Sequence, residues 1–389
     1  MSTEVEVIRK RLDEVDNRIV AVLAERFQCI DELAKIKSTG TVQLQDEKRE
    51  QALLQRVNAL GRDAGLSGSF VERIFRAVLD HSVRRQLNQI NERHTEDRET
   101  VTVAYQGIAG AFGHLAATCH FDVTDSKVAL QGYSSFGEVI AAVLDGTASY
   151  GLLPVENTTA GSINEVYDLL AMADLFIVGE EVQTVNHCLL AIPGTSQDQL
   201  RRIRSHPQAL AQCSEFLRTL RHCRVESYDD TAGAAKQARL EADPSQGAIA
   251  SEAAAHHYGL QILKRGIANE KHNYTRFVVI AGTQGSHPRG IPCKTSVVFA
   301  APHEVGALAS CLELLVSHDL NLTKIESRPR PRAPWEYLFY LDFEGDARDD
   351  HIADVLRVLA TRTLFLKVLG SYPMLTLSPE RDTKLAPPG

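Results

Sequence analysis

Several patterns that would assign a protein class at once are absent from this chain. Its seven cysteines are scattered and include no C-x-x-C pair, which argues against a disulfide framework or a cysteine-bound metal. The fourteen histidines include no H-E-x-x-H spacing, so we expect no metal ion. No apolar run approaches about 18 residues, and the first residues lack a signal-peptide pattern. We therefore expect a cytoplasmic protein without membrane partners.

An excess of positive charge is missing too. The formal net charge is −8, which argues against nucleic acid as a partner. The turn with Gly107, Gly110 and Gly113 matches neither G-x-G-x-x-G nor a Walker loop, so no nucleotide cofactor is expected. The composition is that of an ordinary globular protein, with 44% hydrophobic and 24% charged residues over 389 positions. That length indicates about two to four folding units.

The first segment predicts one long helix with a charge on its apolar face. From Glu4 to Ser38 there is no glycine or proline, and apolar residues recur at steps of three and four. Arg26 stands on this stripe, where it points a guanidinium into a helix bundle, and a buried charge must be paired. The apolar residues of the stripe are Val5, Ile8, Leu12, Val15, Ile19, Val22, Cys29, Leu33 and Ile36.

Two further predicted helices repeat this anomaly. They run from Asp46 to Leu60, with Gly61 as the C-terminal cap, and from Phe70 to about Ile90. One interpretation is an internal ion pair between Arg26 and a carboxylate of the second helix. The other is a water-poor pocket for a small anion. The polar residues on the apolar stripes of these two helices are Asp46, Glu50, Ser82 and Gln86.

Helix geometry separates two other cations of the first helix. Lys37 returns to within roughly 20° of the direction of Arg26, so it can line the same cavity. Arg9 lies about 25 Å from Arg26 along a straight helix and cannot bind the same small ligand in one chain. Either Arg9 is an ordinary surface charge, or it enters a neighbour's pocket in a dimer of interlocked helices.

The polar residues of the three helices resemble, in order and spacing, the active-site set of the all-helical chorismate mutases that are fused to prephenate dehydratase. The set is Arg9, Arg26, Lys37, Asp46, Arg49, Glu50, Ser82 and Gln86. The resemblance covers residues 1–92 and implies the pericyclic conversion of chorismate to prephenate without a cofactor. It implies that Arg26 and the partner's Arg9 bind the two carboxylates, with a further carboxylate contact from Ser82. Lys37 and Gln86 would donate hydrogen bonds to the ether oxygen. Glu50 and Asp46 would accept from the ring hydroxyl or brace the pocket, and Arg49 would orient the pocket residues.

The middle of the chain has an α/β texture. Short β-type runs alternate with helical patterns, and turn residues with helix starts follow the strand ends, where open α/β sheets bind ligands. Ser162 and Glu165 have capping-box spacing, and Pro207 and Asp230-Thr231 indicate two more helix starts. The β-type runs are Val101 to Tyr105, Tyr150 to Val155, Val185 to Ile192 and Phe277 to Ile280.

Five motifs of this region jointly resemble prephenate dehydratase over residues 101–282. They are Gly110-Ala111-Phe112-Gly113-His114, the run from Pro154 to Ile163, Ser205-His206-Pro207-Gln208-Ala209, Asp230-Thr231-Ala232 and Asn273-Tyr274-Thr275-Arg276-Phe277. The resemblance implies two α/β lobes around a cleft, as in periplasmic binding proteins, with prephenate as the substrate. The family often has serine at Gly113 and at Thr158, so Gly113 is expected to contribute only backbone.

The dehydratase resemblance also implies residue roles. Thr275 hydrogen-bonds or protonates the departing hydroxyl; alternatively it is simply a β-branched strand residue. Arg276 anchors a substrate carboxylate; alternatively it forms an ion pair that bridges domains. The remaining residues expected to shape the cleft are Glu156, Asn157, Ser205 and Thr231.

The last segment, residues 294–377, reads strand, helix, strand, strand, helix, strand, which predicts a ferredoxin-like unit. Its Gly306-Ala307-Leu308 and Glu326-Ser327-Arg328-Pro329 motifs resemble those of ACT regulatory domains. The resemblance implies L-phenylalanine as an inhibitor that favours a closed, less active homodimer or higher homo-oligomer. The implied effector contacts are Gly306, Ala307, Leu308, Ile325, Glu326 and Ser327.

The expected fold class is therefore a multidomain α and α+β protein with helical, two-lobed α/β and ferredoxin-like parts. Two alternatives stay open. The second part could dehydrate arogenate instead of prephenate. The whole chain could also be a non-catalytic amino-acid sensor, although a sensor has no use for polar stripes on three N-terminal helices.

Overall fold

The computed structural model describes residues 2–37, 47–92, 100–121, 128–220, 222–287, 289, 291–330 and 336–374. The chain forms two compact units, residues 1–97 with 286–292, and residues 98–285 with 293–389. Among the described helices, none has the length and apolar character needed to cross a bilayer.

The N-terminal unit contains the three predicted helices, α1 (Ser2–Lys37), α2 (Glu47–Asp63) and α3 (Gly68–Glu92). The prediction that Gly61 caps α2 is wrong, because the helix continues through it to Asp63. A Cβ at Gly61 would lie 2.6 Å from a Val71 methyl group. This glycine therefore permits close packing of α2 on α3.

The prediction that the apolar stripe of α1 faces the interior of a bundle is wrong in the single chain from Val5 to Val22. Leu12 is 56% exposed and Val22 is 63% exposed. The physical reason is length, since α1 spans about 54 Å and α2 only about 26 Å. Buried apolar side chains of the unit are instead Val57, Val71 and Val78, on α2 and α3.

The second unit begins with eighteen helices and strands in α/β order. They are β1 (Val101–Gln106), α4 (Phe112–His120), β2 (Val128–Tyr133), α5 (Phe136–Leu144), β3 (Tyr150–Asn157), β4 (Gly161–Ser162), α6 (Asn164–Met172), β5 (Phe176–Thr184), β6 (Cys188–Ala191), β7 (Arg202–Ser205), α7 (Pro207–Gln212), α8 (Ser214–Thr219), β8 (Arg224–Ser227), α9 (Thr231–Glu241), β9 (Gln246–Ala250), α10 (Glu252–Tyr258), β10 (Gln261–Arg265) and β11 (Tyr274–Ala281).

These strands form two mixed sheets. The first has the order β2-β1-β3-β11-β5, with β4 paired to β3; β1 is parallel to its neighbours and β11 is antiparallel to β3 and β5. The second has the order β10-β6-β9-β7-β8. Strand β11 returns the chain to the middle of the first sheet, so Thr275 pairs with Asn157 on β3.

The C-terminal part of this unit is a third sheet with two helices. It contains β12 (Cys293–Ala300), α11 (Ala307–Val316), β13 (Leu322–Pro329), β14 (Tyr337–Glu344), α12 (Asp350–Arg362) and β15 (Phe365–Pro373). The sheet is antiparallel with the order β13-β14-β12-β15. This is the βαββαβ succession that the sequence predicts.

The third sheet packs on the first within the same unit. A Cβ at Gly370 of β15 would collide with the carbonyl oxygen of Ile177 on β5. Tyr340 of β14 donates from its hydroxyl to the Tyr167 carbonyl over 2.8 Å. Side chains of both parts share one buried apolar cluster, so the third sheet and the first sheet are held as a continuous body.

Two predicted helix starts have different outcomes. Asp230 caps α9, since its carboxylate accepts from the Gly233 N–H over 2.7 Å, as expected. The capping box at Ser162 is wrong, because Ile163 precedes α6 without a side-chain cap and the Ser162 hydroxyl bonds to Glu326 instead. The sequence pattern could not reveal this competing carboxylate, which comes from a distant strand.

Candidate active sites

In the N-terminal unit, Arg26 reaches from α1 to a buried hydroxyl on α3. Its Nη1 donates to the Ser82 Oγ over 2.6 Å, and Ser82 in turn donates to the Val78 carbonyl over 2.5 Å. Burial lowers the pKa of Arg26 from its usual value, although a guanidinium stays charged at neutral pH. The prediction of a partly buried cation held by polar groups of another helix is therefore met at this residue.

Other residues of this predicted site are described only in part. Asp46 lies outside the described residues, and so do the side chains of Lys37, Glu50 and Gln86, whose backbones belong to α1, α2 and α3. The ion pair between Arg26 and a carboxylate of α2 thus stays a prediction, and so does the shared anion pocket.

The last two cations of the set lie on exposed positions of their helices. Arg9 is exposed on α1, on the same stretch as the exposed apolar stripe, and Arg49 is exposed near the start of α2. Arg9 and Arg26 are 17 positions apart on one continuous helix, about 25 Å. A single chain therefore does not bring Arg9 to the Arg26 pocket.

In the second unit, Asn157 and Thr275 meet through a hydrogen bond between adjacent strands. The Asn157 Nδ2 donates to the Thr275 Oγ1 over 3.0 Å, and both residues are buried. The same amide nitrogen donates to the Asn273 Oδ1 over 2.7 Å. Since Asn157 supplies a proton to Thr275, the hydroxyl proton of Thr275 is directed elsewhere and can be donated to a ligand.

The Asn157 carbonyl oxygen organises the turn that follows β3. It accepts from the backbone N–H of Thr159 over 3.1 Å and of Ala160 over 3.0 Å. Because only an oxygen can accept from these two fixed donors, the amide orientation of Asn157 is determined by the backbone. The donor side of this amide must then face Thr275.

A glutamine from the helix that follows β7 completes the cluster. Gln212 ends α7, the helix that follows β7, and its Nε2 donates to the Thr159 hydroxyl over 2.7 Å. Its Oε1 accepts from the Asn273 Nδ2 over 3.0 Å. Residues next to both sheets thus meet in the cluster around Thr275, which is the arrangement expected for a cleft between two α/β lobes.

Two predicted cleft residues have local structural roles. Ser205 is fully buried at the end of β7 and donates its hydroxyl to the Ile249 carbonyl over 2.6 Å, which links β7 to β9. Thr231 is the first residue of α9, directly after its Asp230 cap. A direct substrate contact from either side chain stays a prediction.

Arg276 points away from the Thr275 cluster and into the C-terminal sheet. Its guanidinium contacts Glu180 over 2.8 Å, Asp342 over 2.6 Å and the Tyr372 hydroxyl over 2.9 Å. Burial alone would raise the pKa of Asp342, but Arg276 lowers it below its ordinary value. This arrangement is the bridging ion pair, which is the alternative to substrate binding by Arg276. Neighbouring strand residues face opposite sides of a sheet, so Thr275 and Arg276 cannot both face the cleft.

Gly113 stands where a side chain cannot fit without a shift. A Cβ there would lie 2.9 Å from the Gln106 carbonyl oxygen. The expectation that this residue contributes only backbone agrees with that close approach.

The predicted cleft residue Glu156 contacts the C-terminal sheet. Lys324 of β13 lies 3.1 Å from the Glu156 carboxylate and donates to the Ser162 hydroxyl over 3.1 Å. Ser162 donates to Glu326 over 2.5 Å. Alternate residues of β13 therefore contact the segment on both sides of the Asn157 turn.

The predicted effector residues occupy the start of α11 and strand β13. Gly306 precedes α11 with φ of +82°, which explains a glycine there. Ala307 and Leu308 follow it, partly buried. Ile325 and Ser327 are exposed on β13, on the face opposite Glu326. Binding of an effector by these residues stays a prediction.

Sequence reasoning missed three members of the Thr275 cluster, Gln212, Asn273 and His187. Asn273 belongs to the motif that contains Thr275, and Gln212 lies about one helical turn after the motif that ends at Ala209. His187 could have been found from its position inside the β-type run from Val185 to Ile192, because a buried imidazole in an apolar run needs a hydrogen-bond partner.

Comparisons with known proteins match both of the regions that hold these residues. A family model described as chorismate mutase type II matches residues 8–87, and one described as prephenate dehydratase matches residues 103–284. The bifunctional chorismate mutase/prephenate dehydratase of Enterobacter agglomerans is 36% identical over 372 residues, which are 94% of this chain and 95% of that protein.

Two solved structures each match 72% of this chain. The prephenate dehydratase of Arthrobacter aurescens in complex with L-Phe has a TM-score of 0.64 at 27% identity and covers 72% of this chain and 92% of its own. A protein described as a novel type of quorum quenching acylase has a TM-score of 0.63 at 34% identity and covers 72% and 98%. Because one fold carries two differently named activities, residue roles must be argued from the site.

Proposed function

The chain belongs to the family of bifunctional chorismate mutase/prephenate dehydratases, and we propose that it performs its two reactions at two sites that share no residue. It converts chorismate to prephenate and prephenate to phenylpyruvate, in L-phenylalanine biosynthesis. We assign the mutase to residues 1–92, the dehydratase to 101–282 and a regulatory ACT domain to 294–377. The buried bond from Asn157 to Thr275 is the observation that carries the dehydratase assignment.

The mutase needs a compact substrate conformer and stabilisation of charge that separates across the breaking ether bond. Arg26 is suited to hold one carboxylate, because Ser82 fixes its guanidinium from α3. We assign Lys37 and Gln86 to the ether oxygen, Glu50 and Asp46 to the ring hydroxyl, and Arg49 to orientation of the pocket. These assignments rest on the family pattern.

The second carboxylate of chorismate needs a cationic partner, and Arg9 of the same chain lies too far from Arg26 to provide it. We propose that the partner's Arg9 supplies it in a homodimer built on α1. The exposed apolar stripe from Val5 to Val22 supports this proposal, because a second copy would cover it. One long helix would then place its two ends in different sites.

At the dehydratase site, the ring carboxylate leaves as CO2 and its bonding electrons enter the ring as it becomes aromatic. The carbon–oxygen bond to the ring hydroxyl breaks, and the departing hydroxide takes up one proton to become water. We propose that Thr275 donates a hydrogen bond to the departing oxygen, with Asn157 holding the threonine oxygen, and that solvent supplies the net proton, so that Thr275 ends the step as a neutral hydroxyl. A free threonine is too weak an acid, so this preorganisation is essential.

We propose that the C-terminal sheet binds L-phenylalanine and that β13 transmits its effect. The L-Phe complex of the Arthrobacter aurescens dehydratase supports a bound effector. Lys324 and Glu326 contact Glu156 and Ser162, which flank the Asn157 turn. A shift of β13 would therefore reach the residue that positions Thr275, which gives coupling without contact between the two ligands.

The test uses the purified full chain without an added cofactor, with chorismate and with prephenate as separate substrates. Lys37→Ala should abolish only the first reaction and Thr275→Ala only the second. Loss of both activities from either change would refute separate sites. Arogenate in place of prephenate decides between the two substrates of the dehydratase, and no turnover of any of the three would leave a non-catalytic sensor.

A further inference from the structure

A buried histidine stands behind the dehydratase cluster without a role in the mechanism above. His187 follows β5, is 2% exposed, and makes an edge-to-face ring contact with Phe112, with ring centroids 5.7 Å apart. Its Nε2 lies 2.8 Å from the Gln212 Oε1. Within the described part of the chain, its Nδ1 is buried and has no hydrogen-bond partner.

The neighbours of Gln212 determine which ring nitrogen carries the proton. Its Oε1 also accepts from the Asn273 Nδ2, and its Nε2 faces two oxygens, those of Thr159 and Asn157. Since a carbonyl oxygen can only accept, His187 must donate from Nε2. A proton on Nδ1 instead would be buried without an acceptor. Burial also lowers the pKa of His187, which keeps the ring neutral.

His187 therefore stands at the start of a directed series of hydrogen bonds. It donates to Gln212, Gln212 and Asn273 hold the amide of Asn157 from its two ends, and Asn157 donates to Thr275. Of the residues in this series, Thr275 is the one that the proposed function places against the substrate. His187 can influence the reaction only through the placement of Gln212.

We propose that His187 is a positioning residue of the dehydratase, which fixes the amide of Gln212 and thereby the donor geometry of Thr275. This inference rests on the proposed function of Thr275. If His187 has this role, its neutral ring with the proton on Nε2 is needed for turnover (kcat) and contributes little to substrate affinity.

The experiment compares His187→Gln with His187→Asn in the full chain. A glutamine amide can place a donor near the ring Nε2, whereas an asparagine amide extends only to the Nδ1 position. Both variants are polar and similar in size, so they disturb packing alike. We expect Asn to lower the dehydratase kcat about tenfold, as for one lost hydrogen bond in the transition state, with KM changed less than about twofold. Gln should restore most of kcat.

The mutase activity of the same preparation and the thermal unfolding midpoint report whether each variant folds. Equal kcat for the two variants, or a rise in KM with kcat retained, would overturn the proposal. If wild-type protein fails to convert prephenate at all, the proposed function fails first. If wild type is active and only the His187 pair shows no difference, the positioning role alone is refuted.

Discussion

The two proposed sites differ in how much of each can be completed by one chain. Around Thr275, four amide or hydroxyl side chains from both sheets satisfy one another within a single copy. On α1, an apolar stripe is exposed and Arg9 lies about 25 Å from Arg26. The proposed dehydratase site is thus complete within one chain, whereas the mutase site that we propose needs a second copy.

The largest expected effect concerns the dehydratase site, which one chain completes. Asn157→Asp removes the amide donor to Thr275 while keeping the side-chain shape, so the hydroxyl loses its fixed orientation. We expect the dehydratase kcat to fall about 100-fold or more, with the mutase unchanged. Steady-state kinetics with prephenate measure this. Asn321→Asp, at an exposed position of the C-terminal part, is the matched control, and a loss there as large as that at Asn157 would contradict the account.

The next prediction tests whether the mutase site is shared between two copies of the chain. Leu12→Asp places a carboxylate on the exposed stripe of α1, where it would be buried without a partner in the dimer. We expect mutase activity to fall at least about tenfold and to depend on protein concentration, while the dehydratase stays within about twofold. Light scattering and both assays over a dilution series measure this. Glu14→Gln, on the opposite side of α1, should change neither activity. Equal mutase activity for the two variants would argue against this interface.

A smaller effect is expected at the contact between β13 and the dehydratase part. Lys324→Met keeps the length of the side chain but removes its bonds to Glu156 and Ser162. We expect basal dehydratase activity within about threefold of wild type and a several-fold weaker response to L-phenylalanine, within the usual range of allosteric coupling. Inhibition curves at fixed prephenate measure this. An unchanged curve would exclude Lys324 from the coupling.

The smallest effect concerns pH. Burial lowers the pKa of His187, so its contribution to folding is complete above the unfolded-state pKa of about 6.5 and is lost as pH falls towards the lower folded value. Urea unfolding of the second unit should therefore show lower stability at acidic pH than at neutral pH. His187→Phe should reduce this pH dependence. An identical dependence in that variant would assign the effect to other groups.

The sequence predicted the helices and strands well because each has a clear period and clear ends. The six segments of the C-terminal part, from β12 to β15, agree in order with the prediction. The stripe of α1 shows the limit of this reasoning, since a periodic apolar face indicates that something covers it without telling which chain does so. Gly61 shows another limit, because its role is the approach of Val71, which is not a local property.

The candidate site was predictable where a motif includes the reacting residue and was not where contacts join distant segments. Thr275 and Asn157 were both identified, whereas Gln212 contacts Asn157 from 55 residues away along the chain. For Arg276, strand alternation alone places it on the face opposite Thr275, so its bridging ion pair could have been preferred from the sequence. The carboxylate partners, Glu180 and Asp342, needed the tertiary structure.

Mixing two inactive mutases tests the central claim most directly. Arg9→Ala and Arg26→Ala chains each lack one half of every site in their own homodimers. After dissociation and random reassociation, a mixed dimer holds one site with both arginines if Arg9 acts on the partner. We predict recovery of about a quarter of wild-type mutase activity, since half the dimers are mixed and each has one intact site of two. No recovery, with dimers re-formed and the dehydratase intact, would contradict a site shared between two chains.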